Sequence, residues 1–110
     1  MFYNPSKYHR NLKEEDVIWC GIDLDKTLAE GIWPQEGIGK PIKKTVQWAQ
    51  KMDRQGYKII IHTSRPWSER KDIEMWCNDH GVPFKEIHCG KPFYKYYVDD
   101  KNYFLPWINK

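Results

Sequence analysis

The sequence predicts an α/β domain: a three-layer sandwich around a central, mainly parallel sheet. Three observations predict it. Apolar runs at 17–23, 57–63 and 84–89 alternate with two segments of helical period, the strand–helix order of right-handed parallel crossovers. Each of the first two runs ends abruptly in polar residues, as buried parallel strands do at the sheet edge where ligands bind. Finally, 110 residues suffice for one core and leave no room for a second domain.

The elements follow in order. VIWCGID (17–23) is a short run of strand formers, too short for a buried helix. AEGIWPQEGIGKP (29–41 of the chain) is crowded with glycine and proline and reads as a loop. Pro41 then opens a helix in which Ile42, Val46, Ala49 and Met52 recur at helical spacing, and Gly56 ends it. YKIIIHT (57–63) is the second strand. Pro66 opens a second helix with Ile73, Trp76, Cys77 and His80 on one face, closed by Gly81 and Pro83. FKEIHC (84–89) is a third strand, and YKYYVDD (94–100) a fourth ending in two acids. The tail KNYFLPWINK has aromatics without a period. Residues 1–16 form an N-terminal extension of the single domain 1–110, with a mild basic cluster at Lys7, His9, Arg10 and Lys13.

Composition excludes several classes. With 40% hydrophobic and 30% charged residues the chain is neither disordered nor membrane-spanning, and no apolar run nears the roughly 20 residues a span requires. No apolar stretch follows the N-terminus, so a secretory signal is not expected. Cys20, Cys77 and Cys89 lack C-x-x-C spacing. An odd, unpatterned set reads as reduced thiols in a cytoplasmic setting rather than a disulfide frame or zinc site. The net charge of +3 suits an anionic substrate without demanding one.

The chemistry gathers where the apolar runs end. Asp23 and Asp25, two apart, share one side if the extended backbone continues past the strand. Adjacent carboxylates repel unless a cation lies between them, and Asp99 and Asp100 add oxygens from the expected fourth strand. An all-oxygen set suits magnesium together with a phosphate. Thr63 and Ser64 offer hydroxyls and backbone N–H groups just before a helix N-terminus, which favours anions. Lys91 can neutralise charge on both a phosphate and a nucleophilic aspartate. Acids, magnesium, a hydroxyl and a lysine are the equipment of phosphoryl transfer.

In this combination the chain resembles the haloacid dehalogenase superfamily of phosphatases. The motif D-x-D-x-T is matched by Asp23-Leu24-Asp25-Lys26-Thr27, the strand ending in Thr or Ser by IIIHTSRP, the lysine by Lys91 in GKP, and the terminal acid pair by Asp99-Asp100 in YYVDDK. The resemblance implies Asp23 as nucleophile and metal ligand. Asp25 would be the general acid/base and give its main-chain carbonyl to magnesium. It implies further that Thr27 orients Asp25, that Thr63 and Lys91 hold the phosphoryl group, and that Asp99, with Asp100 through water, completes the metal site. Lys26 departs from the pattern, since many relatives carry glycine there. Lys85 is the fallback for the motif lysine. The spans between motifs leave no room for a cap, so the small capless class is implied, with residues 28–40 as a flap and Trp33 at its tip. The flap, another subunit of a homo-oligomer, or the substrate would close such a site.

These residues also have plainer readings. Arg65 reaches a substrate anion or makes a surface ion pair. Trp33 stacks on substrate or packs within the flap. His62 and His88 occupy strands without catalysing, and Trp48, Trp67 and Trp76 serve core or interface. The functional expectation is a magnesium-dependent phosphomonoester hydrolase acting on a small phosphorylated substrate, without a membrane partner. The alternatives are a phosphatase of nucleic-acid 3′ ends and a non-catalytic binding protein of the same fold.

Overall fold

A computed structural model describes residues 18–31, 37–94 and 96–108. Strand β1 (Ile18–Ile22), helix α1 (Lys43–Arg54), strand β2 (Tyr57–His62), a 3-10 turn (Trp67–Glu69), helix α2 (Arg70–Asp79) and strand β3 (Glu86–His88) follow in the alternating order expected. The strands form one parallel sheet in the order β1-β2-β3. Val17, the extension 1–16 and Trp33 lie outside the described residues.

Register explains which residues form the core. Ile22 of β1 lies opposite Ile61 of β2, which lies opposite Ile87 of β3, and Cys20 lies opposite Ile59. These positions share one sheet face, and four of the five are buried, with Cys20 half-buried. The same core cluster takes in Val46 and Ala49 of α1 and Ile73, Trp76 and Cys77 of α2. Fully burying one such isoleucine is worth about 1.5–3 kcal/mol. Two successive right-handed crossovers running the same way along a sheet place both helices on the same side. The alternate positions Trp19, Gly21, His62, Glu86 and His88 face away and are exposed.

Both helices end as their sequences dictate. Lys51 and Arg54 sit in the last turn of α1, complementing its dipole, and Gly56 follows at φ +99°. The tail returns to α1: Trp107 donates its indole N–H to the buried Thr45 hydroxyl at 2.8 Å, and Tyr103 stacks on Trp48 at 5.8 Å. Among the described residues no helix is long and apolar enough to cross a membrane.

Two expectations need correction. The described residues of 94–100 form no strand. They carry exposed Tyr94, Tyr96, Tyr97 and Val98, whose side chains alternate in no way that would bury one face. The described residues make a three-stranded parallel sheet with both helices packed on one face. The second helix begins at Arg70 rather than Pro66, because the intervening residues wind as a tighter 3-10 turn.

Candidate functional site

Asp23 is the first residue past β1, Thr63 the first past β2, and Lys91 follows β3 by three positions. Parallel strands bring these ends to one edge. The β2–β3 pairing continues beyond the strands: Thr63 donates its N–H to the His88 carbonyl at 2.9 Å, Gly90 to Arg65 at 2.8 Å, and Lys91 to Thr63 at 2.9 Å. That extension carries Lys91 along the edge until its ammonium lies 3.4 Å from Asp23 Oδ1. The Leu24 N–H also donates to Asp23 Oδ1, at 2.9 Å. Lys85 instead precedes β3, at the opposite end of that strand.

The electrostatics of Asp23 are set by opposing effects. Burial pushes its carboxyl up, the Lys91 charge and the Leu24 N–H pull it down, and the neighbouring Asp25 adds a small upward push. Its side chain nonetheless keeps 44% of its surface exposed, enough to meet a substrate. His62, on the outer face of β2, is held below the usual imidazole range by desolvation and then by the charges of Lys91 and His88. His88 pairs with Glu86 at 2.7 Å. Both histidines therefore sit on strands, His62 at the margin of the site.

Extended geometry does not continue past Asp23. The chain turns back at once, with the Leu24 carbonyl accepting N–H bonds from Thr27, Leu28 and Ala29. Lys26 takes φ +67°, a left-handed conformation that glycine adopts without strain. A side-chain-bearing residue is strained there, so Lys26 sits where glycine would be easier. The turn sends the two acids to different partners. Asp23 faces Lys91, whereas Asp25 turns to Arg65, whose Nε and Nη2 donate to its Oδ2 and Oδ1 at 2.9 and 2.8 Å.

Arg65 is the group that sequence reasoning misplaced. It is 1% exposed, so it is neither a surface ion pair nor open to a substrate. Beyond Asp25 it donates to Glu69 Oε1 and to the Gly37 carbonyl, each at 2.8 Å. The orienting contact on Asp25 thus comes from Arg65, while Thr27 contributes a backbone N–H to the turn. Nothing local in IIIHTSRP signals this: Arg65 follows β2 by three positions, and its partners Asp25 and Gly37 lie 40 and 28 positions away. Thr63 is buried, its hydroxyl accepting the Arg65 N–H at 3.1 Å, and Ser64 is half-buried beside it.

The flap expected at 28–40 has a defined base. Ala29 bridges Pro41, Glu30 and Ile42 donate N–H bonds to Lys40 and Leu28, and Trp76 donates its indole N–H to the Gly39 carbonyl at 3.0 Å. Its tip, including Trp33, falls outside the described residues.

The oxygens expected to hold magnesium do not come together. Asp99 and Asp100 are exposed; Asp99 Oδ1 accepts the Lys101 N–H at 2.6 Å and Asp100 lies 3.7 Å from the Lys101 ammonium. The described residues of 94–100 form no strand that would carry them along the sheet edge. Among the described residues no group of three or more His, Cys, Asp or Glu side chains is placed to hold a metal ion. The cysteines are free, and burial pushes the Cys77 thiol up to about 12, which suits a core residue.

No family model and no curated protein matches the chain. Among solved structures, the crystal structure of an MCSG target from Vibrio cholerae is similar. It is 24% identical, covers 79% of this chain and 83% of that one, and superposes with a TM-score of 0.65. Identity that low carries the fold alone: a small α/β domain with a three-stranded parallel sheet and two helices.

Proposed function

We propose that this chain is a phosphomonoester hydrolase working through an aspartyl-phosphate at Asp23, on the scaffold of a capless haloacid dehalogenase-like domain. The observation that carries the reading is Asp23 Oδ1 within 3.4 Å of the Lys91 ammonium at the carboxyl edge of the sheet, beside Thr63. An exposed carboxylate next to a fixed cation can meet a phosphate, and the cation offsets the repulsion between the two anions.

In the first step an Asp23 oxygen forms a bond to phosphorus as the bond to the ester oxygen breaks, and Asp25 gives that oxygen a proton. In the second, water attacks phosphorus, its proton passes to Asp25, and the Asp23–phosphorus bond breaks, releasing inorganic phosphate. Asp25 can do this from the Arg65 fork because each carboxylate oxygen keeps a second lone pair. Lys91 stays beside the phosphoryl group in both steps. Magnesium is proposed on the resemblance alone, and no step here is routed through it. The third helical layer, closure by the flap or by a second subunit, and a cytoplasmic setting belong to the same proposal.

A second reading, a phosphatase of nucleic-acid 3′ ends, is favoured by the rim of the site. Lys91 lies 5.1 Å from the Tyr97 ring centre, Tyr94 packs on Tyr97, and exposed Trp67 lies beside His88. Exposed rings near a cation suit bases and sugar rings. The test of both is hydrolysis of p-nitrophenyl phosphate, sugar phosphates, nucleotides and 3′-phosphorylated oligonucleotides, with and without magnesium. A rate on sugar phosphates or nucleotides supports the first reading. Salt-sensitive preference for the oligonucleotide supports the second. No turnover of any substrate, with metal or without, leaves a non-catalytic binding protein.

A further inference from the structure

We propose that Arg65 is a positioning residue, holding Asp25 in the orientation from which it exchanges protons with the leaving oxygen; this rests on the hydrolase reading above. The side chain is 1% exposed, and four of its five N–H donors are spoken for. Two of them grip both oxygens of Asp25, at 2.9 and 2.8 Å, which fixes the carboxylate plane rather than only its position. The third donor is braced by Glu69 at the start of α2, and the fourth by the Gly37 carbonyl on the returning limb of the flap.

The Arg65 backbone is equally engaged. Its N–H donates to the Thr63 hydroxyl at 3.1 Å, and its carbonyl accepts the Gly90 N–H at 2.8 Å, one residue before Lys91. One residue therefore joins the turn bearing Asp25, the end of β2 bearing Thr63 and the segment bearing Lys91. A guanidinium turned wholly inward has nothing to offer a substrate, so its effect on chemistry passes through Asp25. Lysine cannot replace it, because a point charge on a flexible stem cannot hold both oxygens in one plane.

The test compares two substrates in the parent, Arg65→Lys and Glu69→Gln. p-Nitrophenyl phosphate has a leaving group that departs without a proton, whereas an alkyl phosphate needs one. If Arg65 positions the general acid, Arg65→Lys lowers kcat on the alkyl phosphate on the order of a hundredfold, the effect of a roughly 1 Å misplacement. The loss on p-nitrophenyl phosphate stays several-fold smaller, and KM for each moves little. Glu69→Gln, which removes the charge from one brace at a partly exposed position while keeping an acceptor oxygen, gives a smaller loss with the same bias. It carries the test alone if Arg65→Lys does not fold. Equal losses on both substrates, or none, in an active and folded variant overturn the role of Arg65 and leave the hydrolase reading intact. A parent inactive on both substrates overturns the hydrolase reading, and this inference with it.

Discussion

Replacing Arg65 with methionine should cost about 3 kcal/mol of folding stability. The change removes a guanidinium whose side chain is 2% exposed from a carboxylate, Asp25, that is 12% exposed. Breaking a buried ion pair by deleting one partner typically costs about 3–5 kcal/mol, chiefly because the other charge is left without compensation. The lower end applies here, since Glu69 is 31% exposed and water can replace its lost partner. At roughly 4 °C per kcal/mol for a domain of this size, the melting temperature falls by about 12 °C. The paired variant Arg65→Met with Asp25→Leu removes both charges. It should recover at least about half of the loss, because apolar residues of similar volume commonly replace such pairs at little expense. Thermal and urea melts of the parent, both single variants and the double variant, in one metal-free buffer, complete the cycle. A loss below about 1 kcal/mol in Arg65→Met, the range of exposed pairs, would refute the claim that this contact holds the site together.

Other predictions rest on single contacts. Lys26→Gly should stabilise the protein by about 0.5–1 kcal/mol: left-handed backbone costs a side-chain-bearing residue roughly 1–2, and glycine's extra unfolded freedom returns part of the gain. A chemical melt showing net loss would mean that the Lys26 side chain itself contributes. Gly39→Ala should destabilise by about 1–3 kcal/mol, because its Cβ would fall 2.0 Å from the Glu30 carbonyl and push the flap base open; an unchanged melt would contradict that packing. Burial raises the folded-state pKa of Asp23 above its ordinary 3.8, so the folded chain holds this proton more tightly than the unfolded one. The contribution of Asp23 to stability is therefore greatest at low pH and declines as pH rises from 3.8 through the folded value. Asp23→Asn should flatten that decline in metal-free melts, and a steeper decline would reverse the assigned cause.

How much was legible in the sequence depended on whether the signal was local. β1, β2 and both helices were readable because Ile59, Ile61, Val46, Ala49, Ile73 and Cys77 recur at the period their elements require. The placement of Lys91 also followed, since a chain leaving β3 must pass the ends of its parallel neighbours. The segment YKYYVDD misled because tyrosine and valine favour strands wherever a pleated, half-buried surface exists. Here the described residues offer them no partner strand. Asp99 and Asp100 are exposed there and contact Lys101 instead. Arg65 was missed for a different reason. Its partners Asp25 and Gly37 lie 40 and 28 positions away, so its burial is a tertiary fact that no local pattern encodes. Lys26 was legible as an oddity, but only its φ of +67° explained why glycine would be easier there.

The covalent role of Asp23 is the claim on which the rest depends. It is tested most directly by acid-quenching the protein during turnover of a phosphomonoester and mapping the phosphoryl group by peptide mass spectrometry. A hydroxylamine-labile phosphoryl group is expected on the peptide bearing Asp23 and nowhere else. It should be absent in Asp23→Asn, which should retain the fold and lose turnover. Turnover without any phosphorylated peptide, or undiminished turnover in Asp23→Asn, would contradict it.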